Sequence, residues 1–188
     1  MKTRRWIGVL FIIGTVLLVG QFAMSEENER GWDELKRGKE SSGVSPVKNE
    51  LYQKECGACH FAYQPGLLPG RSWEKVMSGL SDHFGENAEL STDDRDALKK
   101  YLLDNAADRT DSRYSVRIIR SLDSGAEPDR ITQIPYIVQR HHELGPKYVA
   151  KNPKVKSLSN CSACHRRAEA GSFQEREVSI PGFGRWDD

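Results

Sequence analysis

Cys56-Gly57-Ala58-Cys59-His60 and Cys161-Ser162-Ala163-Cys164-His165 use all four cysteines of the chain and two of its five histidines. Their shared pattern, C-x-x-C-H, is the attachment signature of c-type haem. The spacing has a physical cause. Two thiols three positions apart can each form a thioether with one vinyl group of the same porphyrin, and the adjacent histidine then reaches the iron as proximal ligand. The pattern therefore predicts two covalently bound haem c groups, held by Cys56 and Cys59 and by Cys161 and Cys164, with His60 and His165 as proximal iron ligands. A shared zinc site is the weaker reading, because paired CxxC motifs of that kind usually lie about 15–20 residues apart, whereas these lie about a hundred apart. No strand-helix pattern of the thioredoxin type surrounds either pair.

Outward from the motifs, the 188 residues suit one domain or two small ones. Charges nearly cancel, with 28 Lys+Arg against 27 Asp+Glu, which does not suggest a nucleic-acid binder. Residues 1–25 read as an address. Lys2, Arg4 and Arg5 precede the apolar run Ile7 to Gly20, and Ala23-Met24-Ser25 offers small residues for cleavage after Ser25. Left uncleaved, Trp6 to Met24 is just long enough to anchor the chain in a bilayer. Either outcome exports the remainder, and the expected location is periplasmic. Residues 26–45 are polar and charged and read as a linker.

Between the leader and the second motif, the pattern is mainly helical. Ser45-Pro46 predicts a helix start, with Val47 and Leu51 leading into Cys56. The Pro- and Gly-rich loop Gln64 to Gly70 is expected to wrap one edge of the haem, with the Pro65 or Gly66 carbonyl as a source of orientation for His60. Ser72 then predicts a helix whose stripe of Trp73, Val76, Met77, Leu80, His83 and Phe84 ends at Gly85. Ser91 with Asp94 signals another helix through Leu102. Residues 46–108 thus form an N-terminal haem domain. In residues 109–188, the C-terminal haem domain, Val116, Ile119 and Leu122 mark a short helix, and Pro135 opens another with Ile134, Ile137, Val138, His141 and Leu144 on one stripe. After these the Gly and Pro content predicts an irregular wrap around the second haem.

The sixth coordination positions are limited by arithmetic. Beyond residue 25 the only methionine is Met77, so two Met-ligated haems are impossible. His83, His141 and His142 remain as three candidates for two positions. His83 is assigned as distal ligand of the first haem and His141 of the second, with Met77 as core and His142 either exposed or a reserve ligand; an exchange of partners between the halves stays open. Arg71, Arg166, Arg167 and Arg185 are candidate partners of the haem propionates.

The segments Cys56 to His60, Pro65-Gly-Leu-Leu-Pro69, Ser72-Trp73, Leu80-Ser-Asp-His-Phe-Gly85, Ile134-Pro-Tyr136 through His141, Cys161 to His165 and Ile180-Pro-Gly182 together resemble the dihaem cytochrome c family of bacterial periplasmic proteins. The resemblance covers roughly Tyr52 to Trp186. It implies a mainly α fold, with an N-terminal domain similar to class I cytochrome c and an unusual haem-wrapping C-terminal domain. It also implies histidine pairs on both irons, mapping onto His83 and His141. The implied partners are a membrane b-type cytochrome as electron source and a small oxygen-binding monohaem cytochrome as recipient. An iron with two protein nitrogens has no vacant position for substrate, so the expectation is a low-potential one-electron carrier with no catalytic residues. The competing class is an open-site haem peroxidase or gas sensor.

Overall fold

Asn49 sets where regular structure begins: its side-chain oxygen accepts the Tyr52 N–H at 2.8 Å and starts helix α1, Glu50–Glu55. The computed structural model describes residues 43–186, so the expected signal peptide or anchor and most of the expected polar linker lie outside the described residues. Ser45 and Pro46 are not the helix start. The Val44 N–H donates to the Gly171 carbonyl at 2.9 Å, and a residue before proline is biased towards extended backbone. This stretch is accordingly held straight until Asn49 takes over as the cap.

The following loop is buried from Gln64 to Gly70. Buried backbone must be hydrogen-bonded, and here remote partners do the work. Pro65–Leu67 form a single 3-10 turn. The Pro65 carbonyl accepts the Trp73 indole N–H at 2.8 Å, that of Gly66 accepts the Ser115 hydroxyl at 2.8 Å, and that of Leu68 accepts the Ala107 N–H at 2.8 Å. Helix α2, Gly70–Ser78, then starts without a side-chain cap of its own; Asp108 supplies one from 38 residues away, its Oδ1 accepting the Gly70 N–H at 2.8 Å. Ser72 lies inside this helix, not at its start. The helix stops at Gly79, so His83 and Phe84 are not on its stripe. Leu80–Asp82 make a 3-10 turn, and Phe84 and Gly85 follow with φ of 58° and 98°.

Helix α3, Thr92–Asp104, matches its sequence signals. The Ser91 hydroxyl accepts the Asp94 N–H at 3.2 Å, and Leu98 and Leu102 are buried one turn apart. Helix α4, Arg113–Ser121, is capped by Ser112. Its buried face is centred on Ser115 and Ile118, with Ile119 and Leu122 of the expected row half-buried against the hydrophobic cluster. The reason is the Ser115 hydroxyl, which is drawn inward by the Gly66 carbonyl. Helix α5, Pro135–Arg140, is shorter than the stripe suggested, and His141 is its C-cap. Helix α6 is the single turn Cys161–Cys164. A hairpin of β1, Ser179–Ile180, and β2, Gly184–Arg185, closes the described chain, with Ile180 opposite Gly184.

The fold is mainly helical. One hydrophobic cluster joins residues from both sides of Asp108, including Tyr52, Leu68, Trp73, Leu98, Ile118 and Ile134. Each fully buried aliphatic side chain of this set contributes about 1.5–3 kcal/mol. Among the described residues no helix is long and apolar enough to cross a membrane.

Candidate functional site

The first motif leaves the end of α1, with Cys56 as its C-cap. His60 Nδ1 lies 2.8 Å from the Phe61 carbonyl. A carbonyl can only accept, so Nδ1 carries the proton and Nε2 keeps a free lone pair, the form that binds metal. Pro65 and Gly66 do not orient this ring, because their carbonyls are taken by Trp73 and Ser115. Facing His60 is His83, held by a two-way backbone bridge in which its N–H donates to the Glu86 carbonyl at 2.7 Å and its carbonyl accepts the Glu86 N–H at 3.3 Å. The two imidazole centroids are 6.1 Å apart, with planes inclined by 25°. Burial, then His60 and Arg130, lower the His83 pKa.

The second motif has its own pair. The His165 N–H closes α6 onto the Cys161 carbonyl at 2.8 Å, and His165 bridges Val178 just before the hairpin. His141 Nδ1 meets the Ile137 carbonyl at 2.8 Å, again leaving Nε2 free. The His141 and His165 centroids are also 6.1 Å apart, but their planes cross at 72°. Burial and the neighbouring His141 push the His165 pKa down to about 4, against the pull of Glu177. The buried Nδ1 of His165 has no protein partner among the described residues. His142 is exposed at the rim of the same cleft, where its Nδ1 meets the Gln139 carbonyl at 2.7 Å and its Nε2 lies 3.7 Å from Glu143.

These spacings fit one metal ion per pair. A metal–imidazole nitrogen bond of about 2 Å on each side, plus the distance from nitrogen to ring centre, brings two ligating rings to about 6 Å between centroids. Both pairs and all four cysteines line one cleft of about 850 Å³. The four cysteines form no disulfide with one another. Burial, then Glu55, raises Cys56 to about 11, and burial raises Cys161 to about 11, which is unlike the low-pKa thiolate of a dithiol redox enzyme. A structural zinc needs four ligands, and among the described residues no group of three or more His, Cys, Asp or Glu is placed to hold a metal.

Met77 is buried at 4% exposure in the wall of the cleft, as core. The four arginines proposed for propionates do not line it. Arg71 donates through Nε to the Ala126 carbonyl, Arg166 to the Ser179 hydroxyl at 3.0 Å, and Arg167 pairs with Glu177 at 3.1 Å; Arg185 is in exposed β2. Arg130 and Arg140 line the cleft instead. The Arg130 guanidinium sits 3.9 Å from the Phe84 ring centre, and Arg140 pairs with Glu175 at 2.6 Å. Sequence reasoning missed Arg130 because its loop has no periodicity. It also missed Tyr63, whose ring lies 5.2 Å from that of His60, although Tyr63 is only three positions beyond the motif.

The model of the dihaem cytochrome c family matches residues 52–173, which include both motifs and both histidine pairs. The chain belongs to the dihaem cytochrome c family. A dihaem cytochrome c from Shewanella baltica is similar in structure, with a TM-score of 0.62 and 38% identity over 75% of this chain and 99% of that one. A dihaem cytochrome c from Rhodobacter sphaeroides is similar at a TM-score of 0.62 and 39% identity, over 69% of this chain and 100% of that one. No curated protein matches the chain at comparable significance. As a dihaem cytochrome c, the protein carries two covalently bound c-type haems, one for each C-x-x-C-H segment.

Proposed function

We propose that this dihaem cytochrome is a one-electron carrier whose irons are both closed by imidazole on both faces. His60 and His83 serve the first site and His165 and His141 the second. The observation that carries the reading is the pair of ring separations, 6.1 Å at each site. Haem supplies the one-electron iron couple. The chain's own residues hold and enclose it. Cys56, Cys59, Cys161 and Cys164 would tether the porphyrins, the four imidazoles would bind the irons, and Leu67, Leu68, Trp73 and Met77 would keep water from one wall. With no axial position left open, substrate turnover has no place to occur. With imidazole in place of thioether sulfur on both irons, the potentials are low.

The carrier is placed in the periplasm, between a membrane b-type cytochrome as donor and a small oxygen-binding monohaem cytochrome as acceptor. The support for the location is the charged and apolar leader from Lys2 to Gly20, and for the partners the resemblance of the Leu80 to Gly85 and Ile134 to His141 segments to the family. Potentiometric titration of the holoprotein tests the reading: two one-electron steps are expected, both below the range of His/Met cytochromes. A step within that range, or sustained turnover of hydrogen peroxide, overturns it in favour of an open-site enzyme.

A further inference from the structure

We propose that Tyr63 is the positioning residue that couples the two haem sites: its ring packs on His60 of the first, while its hydroxyl is tied to the backbone just ahead of Cys161 of the second. The proposal rests on the electron-carrier reading above.

Four contacts carry it. The Tyr63 and His60 rings are 5.2 Å apart between centroids and inclined by 36°. The Tyr63 hydroxyl donates to the Ser159 carbonyl at 2.6 Å, at the short end of ordinary O–H···O hydrogen bonds. The same carbonyl oxygen lies 3.7 Å from Cys161 Sγ. Beneath the ring, the Tyr63 carbonyl accepts the hydroxyl of Tyr52 at 2.8 Å, and Tyr52 is itself a member of the hydrophobic cluster. Tyr63 is therefore held at its backbone by the core, at its face by His60 and at its tip by the turn that precedes the second motif. In series these contacts run from a first-site axial imidazole to a second-site attachment sulfur.

The step served is transfer of one electron between the sites. The donor site is oxidised by one electron and the acceptor site reduced by one, and no bond is made or broken. Tyr63 keeps its phenolic proton throughout, acting as medium and spacer and not as a redox partner. Removing the hydroxyl breaks the contact series at the Ser159 carbonyl and releases the tie between the two sides of the cleft, yet leaves all axial and attachment residues in place.

The experiment is photoreduction of the holoprotein by less than one electron per molecule, with the redistribution between haems followed by time-resolved absorbance. Potentials, low-spin signals and thermal stability are recorded on the same samples. Tyr63→Phe is expected to slow the redistribution several-fold while both haems stay low-spin, and Tyr63→Leu to slow it further. An unchanged rate in Tyr63→Phe overturns the proposal, including the case in which only stability falls, since that is a purely structural role. If Tyr63→Leu fails to mature, Tyr63→Phe alone decides. A high-spin haem in the unsubstituted protein would instead overturn the carrier reading, so the two failures are distinguishable.

Discussion

His60 and His83 face each other at 6.1 Å with ring planes only 25° from parallel. The corresponding rings of His141 and His165 stand at the same separation but cross at 72°. Near-parallel imidazoles present their π orbitals to the same iron d orbital and split the d pair, whereas crossed imidazoles leave the pair nearly degenerate. Electron paramagnetic resonance of the ferric protein is expected to show two inequivalent low-spin signals, rhombic from the first site and strongly anisotropic from the second. Two identical signals would contradict these ring orientations.

The ligand assignments separate by substitution. His83→Ala is expected to make one haem high-spin and remove only the rhombic signal. His141→Ala should do the same to the other haem, while His142→Ala leaves both intact, because the His142 ring is exposed and engaged with Gln139 and Glu143. Absorption and paramagnetic resonance spectra read the outcome. Loss of the second-site signal in His142→Ala would move the ligand by one residue.

Asp108 caps α2 from outside the helix, through its 2.8 Å contact to the Gly70 N–H. Losing an N-terminal cap costs about 1 kcal/mol, and a carboxylate there also complements the helix dipole. Asp108→Ala should lower the stability of the holoprotein by about that amount in denaturant titrations, with the visible spectrum unchanged. Asp108→Asn should recover part of it.

Gly171 has φ of 74°, and a Cβ added there would lie 1.9 Å from the Val44 carbonyl oxygen. Both facts oppose any side chain. Gly171→Ala should therefore cost well over the roughly 1 kcal/mol scale of unstrained glycine substitutions, loosening the extended segment that carries Val44 before α1. Wild-type stability in the thermal melt would refute the tight packing of these two segments.

How much of this was legible beforehand depended on whether a signal was local. The haem motifs are covalent chemistry written in five consecutive residues, and the Ser91 cap is a contact three residues long, so both read directly. His83 departs from its sequence pattern. The pattern puts it on a helical stripe, but Gly79 ends α2 first and a turn with Phe84 at positive φ delivers the ring instead. What decided the remaining differences was long-range. The Ser115 hydroxyl turns α4 by bonding to Gly66, Gly171 holds Val44 extended and postpones α1 to Asn49, and Trp73 removes the Pro65 carbonyl from the reach of His60. Those partners are 8 to 127 positions apart in the chain, and neither periodicity nor capping pattern carries information over that range except by accident. Among the arginines suggested for the propionates, Arg167 and Arg166 meet Glu177 and Ser179, partners that no local pattern announces.

Carbon monoxide binding to the fully reduced holoprotein tests most directly whether both irons are closed by imidazole. The expected result is a visible spectrum unchanged on addition of the gas, at both haems. A carbon monoxide-shifted Soret band from either one would show an accessible iron and contradict the account.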